Sequence, residues 1–467
     1  VTTQLDFTAR KIAILGGGPG GYEAAMVAAS LGADVTIVER DGLGGSAVLT
    51  DVVPSKTLIA TADVMTRFAS ASSLGVDFRD NGQPAVADLK MVNNRLLALA
   101  KEQSNDIRRT LERVGVKVKI GEGRLLDNRT IEVVTEKGTE TVEAEALLIS
   151  VGARPRELET SMPDGERIFT WKQIYNLTEV PEHLIVIGSG VTGAEFASAY
   201  NGLGTKVTLI SSRDRVLPGE DADAAVVLED VFQARGMTVL NRSRAESVKN
   251  TGDGVVVRLE DGRVVEGSHC LVAVGAIPNT AGIGLEEAGV TLDERGQIKV
   301  DGVSRTTASN VYAAGDCTGV FNLASVAAMQ GRIAIAHLMG DGVKPLKLKN
   351  VASNIFTSPE IASVGVTEQD IADGRYQGDV IKLSLHTNAR AKMMEVKEGF
   401  VKVISRKGSG TVIGGVVVGP RASELIFPIA IAVTQKLHVD DLANTFTVYP
   451  SLTGSISEAA RRLHVHM

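Results

Sequence analysis

A chain of 467 residues suggests about three domains, each large enough to bury its own core. Hydrophobic residues make up 44% and charged residues 22%, an ordinary globular balance, while aromatics at 4% leave the cores to Val, Ile, Leu and Ala. A net charge of −7 argues against a nucleic-acid or anionic-membrane partner, and two cysteines, Cys270 and Cys317, exclude a disulfide framework and a zinc cluster.

Residues 11–15 form a short apolar strand that runs into Gly16, Gly17, Gly18, Pro19, Gly20 and Gly21. Ala-rich, helix-forming sequence follows to Ser30, then Leu31 and Gly32, and residues 34–39 alternate as a second strand ending in Glu39. The stretch 11–30 is apolar enough to resemble a secretory leader, but its glycines, Pro19 and Glu23 interrupt it and no basic segment precedes it. A cytoplasmic location is expected. No apolar run approaches the roughly 18 residues that span a bilayer, so no membrane insertion is expected.

Residues 91–114 read as a surface helix and 116–143 as short strands with turns. Residues 147–151 form a strand, and Gly152 and Pro155 mark its exit from a domain. A second copy of the first pattern then begins: strand 183–187, Gly188-Ser189-Gly190-Val191-Thr192-Gly193, a helix to Tyr200, Leu203 and Gly204, and strand 206–211. Gly16 and Glu39 are as far apart as Gly188 and Ser211, and Gly16 and Gly32 as far apart as Gly188 and Gly204. Two βαβ units share one register. Residues 271–274, with Gly275 and Pro278, repeat the exit signal; 344–349 read as a linker. The remainder mixes strands, 401–404 and 415–418, with a helix from Ala422, and reads as α+β. Both cysteines lie in apolar stretches and are expected to be reduced core residues.

A lone G-x-G-x-x-G is weak evidence, since glycine-rich turns are common. Here each follows a strand, opens a helix and precedes a second strand, which is the setting a dinucleotide requires. Gly16 and Gly188 allow the tight turn, Gly18 and Gly190 allow close approach of a pyrophosphate, and Gly21 and Gly193 let helix and strand pack. The alternative is two ordinary βα turns. Glu39 can accept hydrogen bonds from the ribose of an unphosphorylated adenosine. The matching position in the second unit is Ser211, followed by Ser212, Arg213 and Arg215, a set that favours a 2′-phosphate and hence NADPH over NADH. The alternative is a solvated basic loop.

On these residues the chain resembles the class I pyridine nucleotide-disulfide oxidoreductases, the family of lipoamide dehydrogenase and glutathione reductase. The resemblance covers nearly the whole length, with matching stretches at 16–39, 54–56, 150–155, 188–195, 274–280, 311–316 and 357–368. It implies an α/β fold with two Rossmann-like dinucleotide-binding domains and a C-terminal α+β dimerisation domain. FAD would occupy residues 1–153 with 277–345, NAD(P)H residues 154–276, and a homodimer would form through 346–467. Asp316 would hold the ribityl chain of FAD. Arg40, Gly45, Ser46, Gly123, Ser150, Gly152 and Ala324 would join Gly16, Gly18, Gly21, Glu39 and Lys56 around that cofactor. Gly275 would join the second glycine loop, Glu195, Ser211, Ser212 and Arg213 around NAD(P)H. No metal is expected.

The departures carry the functional information. The family's redox dithiol, in G-G-x-C-x-x-x-x-C before P-S-K, falls on Ala47 and Val52, and Ser46 stands where many members have Thr. Neither Ala47 nor Val52 can form a thiolate, so disulfide reduction is excluded. The family's catalytic His before Pro is Tyr449 before Pro450, and the position of its orienting Glu falls on Gly454; Glu458, four residues on, is a candidate for the displaced acid. The family's soluble transhydrogenases share the Tyr-Pro pair. A phenol, ionising near ~10 when unperturbed, is a poor base at neutral pH but a good hydrogen-bond donor. His464 and His466 read as solvated terminal residues. What remains is the hydride-handling pair: Lys56, matching the family lysine beside flavin N5, and Glu195, its ion-pair partner. The alternative for Lys56 is an interdomain salt bridge with no electronic role. With the dithiol gone, Ala47 and Val52 would floor an apolar slot suited to a flat oxidant, as in the family's dithiol-less NAD(P)H quinone reductases. A quinone-type acceptor is therefore expected. A transhydrogenase and a weakly active flavin-bound redox or scaffold protein are the alternatives.

Overall fold

The structure is a computed structural model that describes residues 9–76 and 85–464. Contacts divide it into two compact units. The first takes the described residues of Val1–Ser55 with Asn94–Pro155 and Ala276–Leu346; the second takes those of Lys56–Asn93, Arg156–Gly275 and Lys347–Met467.

The first unit is built on a five-stranded parallel sheet in the order Val311–Ala313, Ala146–Ile149, Lys11–Leu15, Asp34–Glu39, Lys117–Ile120. Its inner strands are almost continuously apolar, as a sheet covered on both faces requires. Ile12, Ile14, Val35, Ile37 and Leu148 share one face with Ala24, Ala25 and Ala28 of the helix Pro19–Ser30 and with Ala334 and Ile335 of the helix Ala324–Leu338. Ala13, Leu15, Val38, Leu147 and Ile149 point the other way, onto an antiparallel three-stranded sheet that contributes Leu125, Ile131, Val133 and Val142. The two helices approach so closely that a Cβ on Gly331 would lie 2.2 Å from the carbonyl oxygen of Gly20. Small residues are what admit the second helix.

The second unit repeats this plan. Thr238–Leu240, Lys206–Ile210, His183–Ile187, His269–Val272 and Ile168–Phe169 form a parallel sheet, and a second antiparallel three-stranded sheet covers one face. The same unit holds a five-stranded antiparallel sheet, ordered Ala352–Ile355, Glu360–Gly365, Val412–Gly419, Phe400–Arg406, Gly378–Ser384. Helices Phe427–Gln435 and Gly454–Arg462 pack against it. In the strand Phe400–Arg406 the ammonium of Lys402, 1% exposed, is enclosed by the carboxylates of Asp221 (2.7 Å), Asp223 (2.9 Å) and Glu368. Three acids that could otherwise gather a cation thus share one buried ammonium, and Lys382 also reaches Asp223 at 3.0 Å.

Several boundaries move from their sequence expectation. The surface helix runs Leu89–Arg113 and the strand expected at 147–151 is Ala146–Ile149, because Ser150 turns away towards the glycine loop. The helix from Ala422 is two pieces, Ala422–Leu425 and Phe427–Gln435, with Pro428 in the first turn of the second, where its missing N–H does no harm. The linker contains a short turn of helix, Leu348–Asn350. Cys270 and Cys317 are free and fully buried; burial pushes both thiols up, Cys317 to about 12. Among the described residues, no helix is long and apolar enough to cross a membrane.

Candidate nucleotide-binding and hydride-transfer site

The two glycine loops are built alike. Gly16 has φ +101° and Gly188 φ +110°, and a Cβ on either would strike a carbonyl oxygen, that of Ser150 at 2.2 Å or of Ala273 at 2.1 Å. A Cβ on Gly21 would lie 1.9 Å from Gly16 O, and one on Gly193 1.8 Å from Gly188 O. Gly18 and Gly190 differ from these: a Cβ there meets nothing within 4 Å. Each of these two residues begins a helix, and neither helix has a side-chain cap. A turn glycine, a packing glycine and an open backbone position before uncapped N–H groups make a cradle that fits a pyrophosphate.

Around the first loop, the Glu39 carboxylate accepts from Gly17 N (2.6 Å), Asp41 N (2.8 Å) and Gly42 N (3.3 Å). A carboxylate offers about four lone-pair sites, so one remains for a ribose hydroxyl. Arg40 is committed to Asp41 at 3.1 Å. Gly45, at φ +56°, backs onto Gly18, where its Cβ would lie 2.9 Å from Gly18 Cα. Ser46 shares a hydrogen bond with Thr50 (2.9 Å) in the short helix Gly45–Leu49. Ser150 is buried, its N–H bonded to Leu15 O, and Gly152 turns at φ +65°. Gly123 lets its strand pack under the sheet, since a Cβ there would lie 2.5 Å from Leu15 Cδ1. Ala324 opens its helix after Leu323, again without a side-chain cap. Ala47 and Val52 are half-buried, and Val52 opens the helix Val52–Ser70 that carries Lys56.

Asp316 follows Gly315, whose N–H donates to Gln330 Oε1 (2.9 Å), while Gln330 Nε2 donates to Thr318 (3.3 Å). Burial, reinforced by the negative charge of Asp51, pushes the Asp316 carboxyl up to about 6. Gln330 and Asp51 were missed from the sequence. The signals were there: a lone glutamine in an Ala-rich helix, and an acid inside the stretch that otherwise reads as the dithiol motif.

In the second unit, Lys56 Nζ contacts Glu195 Oε2 at 2.6 Å and sits 4.9 Å from the centre of the Phe356 ring. The other oxygen of Glu195, which is 4% exposed, accepts from Phe356 N at 2.8 Å. One helical turn on, Ser198 Oγ accepts from Ser358 N at 3.0 Å. The helix Val191–Gly202 therefore holds both the lysine and the segment beside it. Phe356 was also missed; nothing in its local sequence announces a ring under an ammonium.

The nucleotide loop after Lys206–Ile210 corrects two expectations. Ser211 is 0% exposed, its hydroxyl bonded to Ser189 (2.7 Å) and to Arg213 N (3.1 Å), so it shapes the loop and offers a ligand no surface. Arg215 donates to Pro218 O (3.3 Å) and Glu220 O (3.5 Å), bracing the loop from inside. Ser212 and Arg213 are exposed. Gly275 turns at φ +102° and accepts from Arg156 N at 2.9 Å.

Tyr449, 87% exposed and joined to Pro450 by a cis peptide, lines a concavity of about 350 Å³ with Asn388, Ser451, Glu458 and Arg462. Glu458 shares that wall, but Arg461 and Arg462 bind its carboxylate at 2.8 Å and hold it down at about 2, leaving it ionised and engaged. His464 pairs with Asp440 at 2.7 Å; His466 lies outside the described residues.

Residues 10–331 match the model of the pyridine nucleotide-disulphide oxidoreductases, and residues 351–460 match the dimerisation domain of the same group. The chain belongs to the pyridine nucleotide-disulphide oxidoreductase family. Within it, a Mycobacterium tuberculosis protein named NAD(P)H dehydrogenase (quinone) is 52% identical over 98% of this chain and 94% of that protein. The dihydrolipoyl dehydrogenase of Zymomonas mobilis is 33% identical over 96% of each. The crystal structure of LpdA from M. tuberculosis superposes with a TM-score of 0.93 at 51% identity, covering 98% of this chain and all of that one. A pyridine nucleotide-disulphide oxidoreductase with Ala47 and Val52 at the dithiol positions keeps the family's nucleotide loops and lacks its sulfur pair.

Proposed function

We propose that this chain is an FAD-dependent oxidoreductase that takes hydride from NAD(P)H, with NADPH preferred, and passes two electrons to a quinone-type acceptor. The observation that carries the reading is the pairing of two intact pyrophosphate cradles with Ala47 and Val52 where a dithiol would stand. The 52% identical M. tuberculosis relative, named for quinone, supports the acceptor class. The proposed division is residues 1–153 with 277–345 for FAD, 154–276 for NAD(P)H and 346–467 for a homodimer. Phe446, Val448 and Phe427, all largely exposed, are apolar side chains that a second copy would cover.

Bound FAD supplies the hydride and two-electron chemistry. The chain's own residues orient and hold charge. Gly18 and Gly190 would admit the two pyrophosphates, Glu39 would hold the adenosine ribose of FAD, and Asp316 the ribityl hydroxyls. Lys56, fixed by Glu195 and set over Phe356, is a stationary positive charge and N–H donor of the kind that would stabilise a reduced flavin. Ala47 and Val52 give the acceptor an apolar floor. Tyr449, exposed on its concavity, would serve as a hydrogen-bond donor.

The test is an acceptor panel with the purified protein and NADPH: menadione, glutathione disulfide, and dihydrolipoamide with NAD⁺ in the reverse direction. Turnover with menadione alone supports the reading; turnover with either sulfur substrate ends it. The Tyr449-Pro450 pair favours a second reading, a soluble transhydrogenase, which requires a thionicotinamide analogue to be reduced faster than menadione.

A further inference from the structure

Two segments leave the second parallel sheet side by side and stay bonded beyond it. Ser211 N donates to Leu240 O (2.9 Å), Arg242 N to Arg213 O (2.7 Å), and Ser243 N to Ser211 O (2.8 Å). Glu229, on the helix Ala222–Ala234, ties the same two segments together: it accepts from Asn241 Nδ2 at 2.6 Å and from Val216 N at 3.4 Å. The backbones at Arg213 and Arg242 are thus held in hydrogen-bond register although the residues are far apart in sequence.

Arg242 sits at φ +51°, a left-handed conformation that a side chain with a Cβ rarely adopts. Strain of this kind collects at functional positions. The arginines nearby are engaged: Arg215 on its own loop carbonyls, Arg263 on Asp261 (2.6 Å) and Ser243 (2.6 Å), Arg244 facing Glu260 at 3.8 Å. Among the described residues, the guanidinium groups of Arg213 and Arg242 make no hydrogen bond or ion pair, and the exposed Asp214 pairs with neither. Two exposed arginines on bonded backbone segments, neither with a counter-ion, in a chain of net charge −7, suit an external anion.

We propose that Arg242 is a second specificity residue, forming with Arg213 a two-guanidinium clamp for the 2′-phosphate of NADPH, with the Ser212 hydroxyl as a third donor. This rests on the reading of the second βαβ unit as the NAD(P)H site and replaces Arg215 as the second cation.

The experiment measures binding of adenosine 2′,5′-bisphosphate and of 5′-AMP, which lacks the 2′-phosphate, to the purified full-length chain and to R213A, R242G and R242N. Gly and Asn tolerate the left-handed backbone, so both Arg242 variants keep the local fold, and unchanged 5′-AMP affinity verifies it. A charge-assisted contact implies that R242G and R242N each lose about 10- to 100-fold for the bisphosphate. R213A should lose a similar factor, and all three should change less than about twofold for 5′-AMP. If R213A loses the preference while R242G and R242N keep it, the clamp is wrong and the cofactor reading stands. If the unaltered chain binds both compounds equally, the NADPH preference itself is wrong.

Discussion

Asp316 offers a test in which one side chain works against the fold for the sake of a ligand. Its carboxyl is raised from 3.8 to about 6, first by burial and then by the charge of Asp51. A raised acid pKa means the folded, flavin-stripped protein binds a proton more tightly than the unfolded chain does. The carboxyl therefore costs nothing well below pH 3.8, costs progressively more between about 4 and 6, and exacts its full penalty above 6. A rise of that size corresponds to about 3 kcal/mol at neutral pH, of which about half is present at pH 5. Asp316→Asn removes that charge. In urea unfolding of flavin-stripped protein, D316N is expected to be the more stable form at pH 7.5 and to converge with the parent chain at pH 4. Hydroxyl donors from a ribityl chain favour the ionised form, so FAD affinity should rise with pH through about 6, and D316N should retain FAD poorly. A D316N protein that is no more stable than its parent at pH 7.5, or whose advantage does not change with pH, would refute the reasoning.

Other consequences follow from single positions. Glu195→Gln leaves an acceptor for Phe356 N but removes the charge opposing Lys56; reduction of bound flavin by NADPH in stopped flow should slow at least about tenfold. Gly190→Ala should fold normally, since its Cβ meets nothing, yet lose NADPH binding with FAD retained; Gly193→Ala, whose Cβ would lie 1.8 Å from Gly188 O, should fail to fold or express. Equal behaviour of the two glycine variants would contradict the loop assignment. Lys402→Met leaves the Asp221 side chain, 4% exposed, without its buried partner, while Asp223 keeps Lys382 at 3.0 Å and Glu368 is half exposed; loss of a buried pair partner costs about 3–5 kcal/mol, measurable as a lowered denaturation midpoint.

The sequence spoke most clearly where one residue's chemistry is decided by its own backbone. The turn glycines Gly16 and Gly188 and the packing glycines Gly21 and Gly193 were legible because their backbone setting excludes a side chain at fixed spacing. Ser211 was misplaced because register locates the end of a strand but not whether the following loop folds over it; here the loop closes through Ser189 and Arg213 N. Arg215 was overrated for the same reason, its guanidinium being turned back onto Pro218 O and Glu220 O. Phe356 was invisible because its place beside the Lys56 ammonium exists only through a long-range contact, whereas Gln330 was overlooked although it stands alone in an Ala-rich helix. Lys402 and its three acids lie on segments far apart in the chain, which no local pattern could unite.

The central claim is that electrons reach a flavin with no sulfur pair behind it. The most direct measurement is anaerobic titration of the flavin-loaded protein with NADPH, following the visible spectrum. The expected result is complete bleaching at two electrons per flavin with no long-wavelength thiolate charge-transfer band. Uptake of four electrons per flavin, or such a band at half reduction, would contradict it.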